Sequence, residues 1–98
     1  MYLLVSMQFK RKTNNKLVTA KQLTRKTFEF CKTFAGDMMI SSYMTHDDGP
    51  EITISGIDEY PEMTAVEGDW LVKENGYMWV YKPQVFKDLF EYEAPSTL

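Results

Sequence analysis

Ninety-eight residues, 44% of them hydrophobic and 14% aromatic, suffice for one folded core and leave little room for a second. That composition excludes a disordered chain, and the lone Cys31 excludes a scaffold of internal disulfides and fits a reducing compartment. The net charge of −3 conceals an asymmetry: residues 1–36 carry eight basic residues against Glu29 alone, net +7, and residues 37–98 carry three lysines against thirteen acids, net −10. Either the halves attract and neutralise each other on folding, or the domain keeps one basic and one acidic face.

In chain order, Met1 to Phe9 is apolar enough for a strand. Met7-Gln-Phe-Lys-Arg-Lys12 also reads as a natural start, which makes residues 1–6 an N-terminal extension of a single domain spanning 1–98. The opening segment is too short for a signal peptide and lacks a preceding basic residue, and no apolar run approaches the roughly 20 residues of a membrane-spanning helix. A soluble, cytoplasmic protein is the expectation. Thr13-Asn-Asn15 is turn chemistry, and Leu17 to Leu23 alternates as a strand does, with Val18, Ala20 and Gln22 on one side. Thr24 has the side chain of a helix N-cap, and Arg25 to Ala35 sets Phe28, Cys31 and Ala35 on one helical stripe with Phe30 and Phe34 beside it. Gly36 supplies the left-handed conformation that ends a helix.

Met38 to Thr45 and Glu51 to Ser55 read as strands about the turn cluster His46-Asp-Asp-Gly-Pro50. An acidic loop follows at 56–61, then a short strand at Met63 to Val66 and a turn at Glu67-Gly-Asp69. Asn75-Gly76 between two apolar runs predicts a type I′ hairpin, because both residues tolerate positive φ. That turn pairs Trp70 with Tyr81, Leu71 with Val80, Val72 with Trp79, Lys73 with Met78 and Glu74 with Tyr77. One face then holds Trp70, Val72, Tyr77, Trp79 and Tyr81, and the other Leu71, Met78 and Val80. Either both faces are covered, with the Leu71 face beneath the helix, or the aromatic face is a binding surface. Lys82-Pro-Gln-Val-Phe-Lys-Asp-Leu-Phe90 predicts a short C-terminal helix with Pro83 in its first turn and Val85, Phe86, Leu89 and Phe90 buried. The fold class predicted is α+β: a small, mainly antiparallel sheet, one main helix and one short helix, in the order β-β-α-β-β-β-β-β-α.

Chemical groups are sparse. His46-Asp47-Asp48 is the one compact metal-like cluster, and a single imidazole in a Gly-Pro turn reads as a solvated loop; no metal or other cofactor is expected. Cys31 lies on an apolar helical stripe, where a thiol is inert as a nucleophile, and the five glycines are scattered turn residues that form no phosphate loop. No catalytic residue is assigned, and the chain is not expected to be an enzyme. The candidate binding residues are Trp70, Tyr77, Trp79 and Tyr81 as aromatic anchors, with Lys10, Arg11 and Lys12 as charges that suit a nucleotide's phosphates. An acidic chain overall disfavours general nucleic-acid binding.

Met7-Gln-Phe-Lys-Arg-Lys12, Phe30-Cys31, Gly68-Asp-Trp70, Gly76 and Lys82-Pro-Gln-Val-Phe86 together resemble a recurrent family of small phage and prophage proteins. Their C-terminal half reads Pro-Gly-Asp-Trp-Ile, a glycine turn, an aromatic strand and Lys-Pro-Asp-x-Phe-x-x-x-Tyr. The chain departs from that pattern at Glu67, at Gln84 and at Val80-Tyr81, and residues 37–62 fall outside the likeness. The resemblance implies a phage-encoded protein working in the host cell and assigns no activity. The expectation it favours is a non-enzymatic binding protein that blocks a host protein, with host defence as the target class. The alternatives are a module sequestering a nucleotide-type signal molecule and a structural or replication accessory of the phage; a homo-oligomer is compatible with each.

Overall fold

The computed structural model describes residues 7–55 and 62–93, so residues 1–6 and the acidic loop at 56–61 lie outside it. The fold is α+β, as the sequence predicts. Its strands are β1 (Met7–Arg11), β2 (Leu17–Gln22), β3 (Met39–Thr45), β4 (Gly49–Ile54), β5 (Met63–Val66), β6 (Trp70–Glu74), β7 (Tyr77–Tyr81) and β8 (Phe90–Tyr92). Its helices are α1 (Phe28–Ala35) and α2 (Pro83–Leu89), and a 3₁₀ turn at Gly36–Met38 links α1 to β3. Among the described residues, no helix is long and apolar enough to cross a membrane.

The strands form two antiparallel sheets where the sequence reading has one. β7-β6-β2-β1-β8 make a five-stranded sheet and β3-β4-β5 a three-stranded one. The hairpin register is the predicted one at all five pairs, Trp70↔Tyr81 through Glu74↔Tyr77, with Asn75 at φ 53° and Gly76 at φ 84° in the turn. β2 then pairs with β6, Ala20 opposite Val72 and Gln22 opposite Trp70, which draws the N-terminal hairpin against the C-terminal one.

Because the hairpin is apolar on both faces, it nucleates two cores. Leu71 and Met78 pack beneath α1 and the three-stranded sheet, with Leu23, Phe28, Cys31, Phe34, Ala35, Ile52, Ile54 and Ala65. Val72 faces the other way into a cluster with Phe9, Val18, Ala20, Phe86 and Phe90, against which Trp70, Tyr81 and Leu89 pack. At about 25 cal/mol per Å² of apolar area, each fully buried Leu, Ile or Phe contributes roughly 1.5–3 kcal/mol before ordering costs. Lys21 and Lys73 lay their ammonium groups over Phe30 and Phe34, 4.1 and 4.6 Å from the ring centroids, sealing the rim of α1.

Three local expectations are corrected. The main helix starts at Phe28, three residues after Arg25, and Thr24 is not its N-cap. Thr24 and Thr27 bond each other instead: the Thr24 N–H donates to Thr27 Oγ1 at 2.8 Å, and Thr27 Oγ1 donates to the Gln22 carbonyl at 2.6 Å. The hydroxyls are spent closing a turn at the end of β2, so the helix begins only at its far side. Val85 is 45% exposed rather than buried. Phe90 is buried in β8 rather than in the helix: the chain turns extended there, at φ −128° and ψ 154°, and adds an eighth strand beside β1.

Candidate interaction surface

All four aromatic candidates on this face of the hairpin are half-buried, and they differ in what they pack against. At the α2 end Trp70 stacks on Phe86, centroids 4.0 Å apart and planes 5° from parallel, and meets the edge of Phe9 at 5.2 Å. Tyr81 stands edge-on to Phe90 at 5.4 Å. Nearer the turn, Tyr77 and Trp79 form an edge-to-face pair with centroids 6.2 Å apart. Both rings are half-buried, and neither belongs to the two core clusters. The structure therefore separates the four aromatic candidates by packing: Trp70 and Tyr81 pack against the α2 core, and Tyr77 and Trp79 meet each other nearer the turn.

The three basic candidates do not converge on that surface. Strand alternation puts Lys10 on the opposite face of β1 from Phe9 and Arg11, and there its ammonium sits 3.5 Å from both Glu91 and Glu93. Lys12 donates to the Lys87 carbonyl at the end of α2, at 3.1 Å. Arg11 alone approaches the aromatics. Its Nε and Nη2 donate to the two oxygens of Glu74 at 3.2 and 2.7 Å, its Nη2 lies 3.5 Å from the Tyr81 hydroxyl, and its guanidinium lies 4.8 Å over Phe90. Bonding to Glu74, and then to Tyr81, raises the guanidinium's already high pKa, so it is charged at every accessible pH. Lys10 and Arg11 also show how the halves neutralise each other: both basic residues of β1 meet acids from the C-terminal half.

Two residues central to this arrangement escaped the sequence reading. Glu74 is the partner that fixes Arg11, and its signal is an acid on the otherwise apolar Trp70–Val72 side of the hairpin, a position that requires a cation. Asp69 is 2% exposed; its carboxylate accepts the Val66 N–H at 3.0 Å and pairs with Lys82 at 2.9 Å, so it ties the turn before β6 to the start of α2. A turn aspartate gives no sign of such burial.

The remaining chemistry is quiet. Cys31 is fully buried, burial pushes its thiol pKa up, and its Sγ donates weakly to the Gln22 carbonyl at 3.6 Å. His46 is exposed in the β3–β4 turn, and no group of three or more His, Cys, Asp or Glu able to hold a metal occurs among the described residues. What the surface offers is a half-buried aromatic pair on the same face of the hairpin as the internally compensated Arg11–Glu74 pair. No protein-family model, curated protein or solved structure matches this chain.

Proposed function

We propose that this chain is a small non-catalytic binding protein that acts by occupying a protein partner, with Tyr77 as its anchor. The observation that carries the reading is the half-buried Tyr77 ring at the turn end of the hairpin, held edge-to-face against Trp79. Aromatic side chains lose little rotamer freedom on burial and are over-represented among the few residues that dominate interface energies. The likeness to small phage proteins supports a host protein as the partner and host defence as its class, with binding itself as the inhibitory act. A nucleotide-type ligand is the weaker reading, because Lys10, Arg11 and Lys12 are directed to Glu91 and Glu93, to Glu74, and to a backbone carbonyl.

The test compares wild type with Tyr77→Ala and Trp70→Ala against a host protein recovered from extract and then purified. Tyr77→Ala should weaken binding by about thirtyfold, the equivalent of about 2 kcal/mol for a true anchor, with little change in melting temperature. Trp70→Ala should lower stability first. Unchanged binding by a folded Tyr77→Ala protein places the function elsewhere.

A further inference from the structure

A small domain with sheets has edges to protect, and among the described residues the edges differ in how they are protected. β8 is only three residues long, and Glu91, inside it, and Glu93, just past it, charge that edge. β7 runs beside β5. β3 is different: seven residues, Met39–Thr45, paired on one side with β4 and, among the described residues, with no strand on the other. It carries no charge and no proline, and it presents Ile40, Tyr43 and Met44 at 50, 54 and 44% exposure.

The hydrogen-bond phase of β3 is fixed by Pro50. Met44 stands opposite Pro50, whose nitrogen has no hydrogen, so this is a pair that exchanges no bonds. The bonds to β4 fall on either side, at Tyr43↔Glu51 and Thr45↔Gly49. Ser42 and Met44 therefore turn their N–H and C=O groups to the open edge. An irregularity between Met39 and Ser41 ends the regular ladder at Ser41, which leaves 41–45 as the pairing segment, with Tyr43 at its centre.

We propose that β3 pairs antiparallel with β3 of a second copy about a two-fold axis at Tyr43, joining the two three-stranded sheets into one of six strands. In that register Ser42 of each chain exchanges bonds with Met44 of the other, so the four outward-facing donors and acceptors of each chain are all satisfied. Tyr43 meets Tyr43 of the second copy at a non-hydrogen-bonded position, where side chains approach most closely, on the face that also exposes Val66. Residues 39–45 carry no charge, so no like charges meet along the paired segment itself; the nearest acid on the Tyr43 face is Glu51, its cross-strand neighbour in β4, on the side away from the second copy. This interface uses a different surface from the Tyr77–Trp79 pair and stands independently of it.

Sedimentation of the full chain across a concentration series, with cysteine crosslinking, tests it. Wild type should move from the 11.5 kDa chain mass to twice that mass as concentration rises. Ser42→Pro, which removes an outward N–H without touching the β4 ladder, should weaken the dimer about tenfold or more while the fold is retained by circular dichroism. Tyr43→Cys should form a covalent dimer on mild oxidation, since opposed Cα atoms about 4.5 Å apart permit a disulfide. Thr45→Cys, which faces residue 41, should stay at the wild-type level, where the buried Cys31 forms none. A monomer at every concentration up to about 1 mM, the weak end of specific association, overturns the proposal, and no other binding to β3 rescues it. Equal crosslinking by Thr45→Cys and Tyr43→Cys overturns it too.

Discussion

Arg11 is the residue for which sequence and structure propose different work, and a double-mutant cycle with Glu74 separates them. As a binding residue, its loss weakens a complex; as a tie, its loss weakens the fold. The side chains of the pair are 20 and 11% exposed, and the contact is two-pronged at 3.2 and 2.7 Å, with the guanidinium also capping Phe90. An exposed pair contributes about 0–1 kcal/mol, and breaking a fully buried one costs about 3–5 kcal/mol. A pair this enclosed belongs between those limits, so a coupling of about 2 kcal/mol is expected between Arg11→Met and Glu74→Gln. Each single substitution should lower the melting temperature by about 10 °C in a domain this size, and the double variant should fall less than the two together. Urea unfolding monitored by circular dichroism reads the coupling directly. Coupling below about 0.5 kcal/mol would refute the tie and return Arg11 to the surface as a ligand-facing charge.

Asp69→Ala should destabilise by about 2–3 kcal/mol in the same urea assay, because it strands the Val66 N–H, and Lys82→Ala by about 0.5–1 kcal/mol, because its ammonium is largely in water. Equal costs would show that the ion pair, not the backbone bond, is what Asp69 provides. Cys31 should react with a thiol reagent only at the rate of unfolding, and free-thiol rates in the native state would contradict its packing. Its folded pKa lies above the unfolded one, so its contribution to stability is complete below the unfolded value, about 8.5, and is lost as pH rises toward the folded value. Cys31→Ala should therefore flatten the decline of stability over that alkaline window, and an unchanged slope counts against the shift.

What was legible in the sequence was local. Asn75-Gly76 dictates its own backbone conformation, and with alternation at period two it fixes all five pairs of the β6–β7 ladder and the face of every side chain in it. Alternation likewise put Val18 and Ala20 of β2 on one side, and helical spacing put Phe28, Cys31 and Ala35 on the buried stripe. The division into two sheets was not legible, because it rests on β2 choosing β6 as its neighbour, some fifty positions along the chain. Partners of that separation leave no mark in either segment. The basic run at 10–12 misled for the same reason: it reads as one charged cluster until Glu74, Glu91 and Glu93 arrive from the far end of the chain and take Arg11 and Lys10 on opposite faces of β1.

The surviving half of the aromatic face follows from lengths. β7 has five residues and extends about 17 Å, whereas the seven residues of α2 make a rod of about 10 Å. α2 cannot cover the whole hairpin, and the chain decides which end it covers, since only Lys82 separates the last residue of β7 from Pro83. The helix must fold back over the Tyr81 end. Phe86 accordingly lands on Trp70, the cross-strand neighbour of Tyr81, and the turn end with Tyr77 and Trp79 is left beyond its reach. Trp70 and Tyr81 thus pack against the α2 core by proximity to the connection, and Tyr77 and Trp79 lie outside the reach of α2, although all four share one face of one hairpin. On the proposed binding role, the packing of the first pair against α2 fixes the strand that carries Tyr77, and an anchor already held in place lowers the ordering cost of a complex.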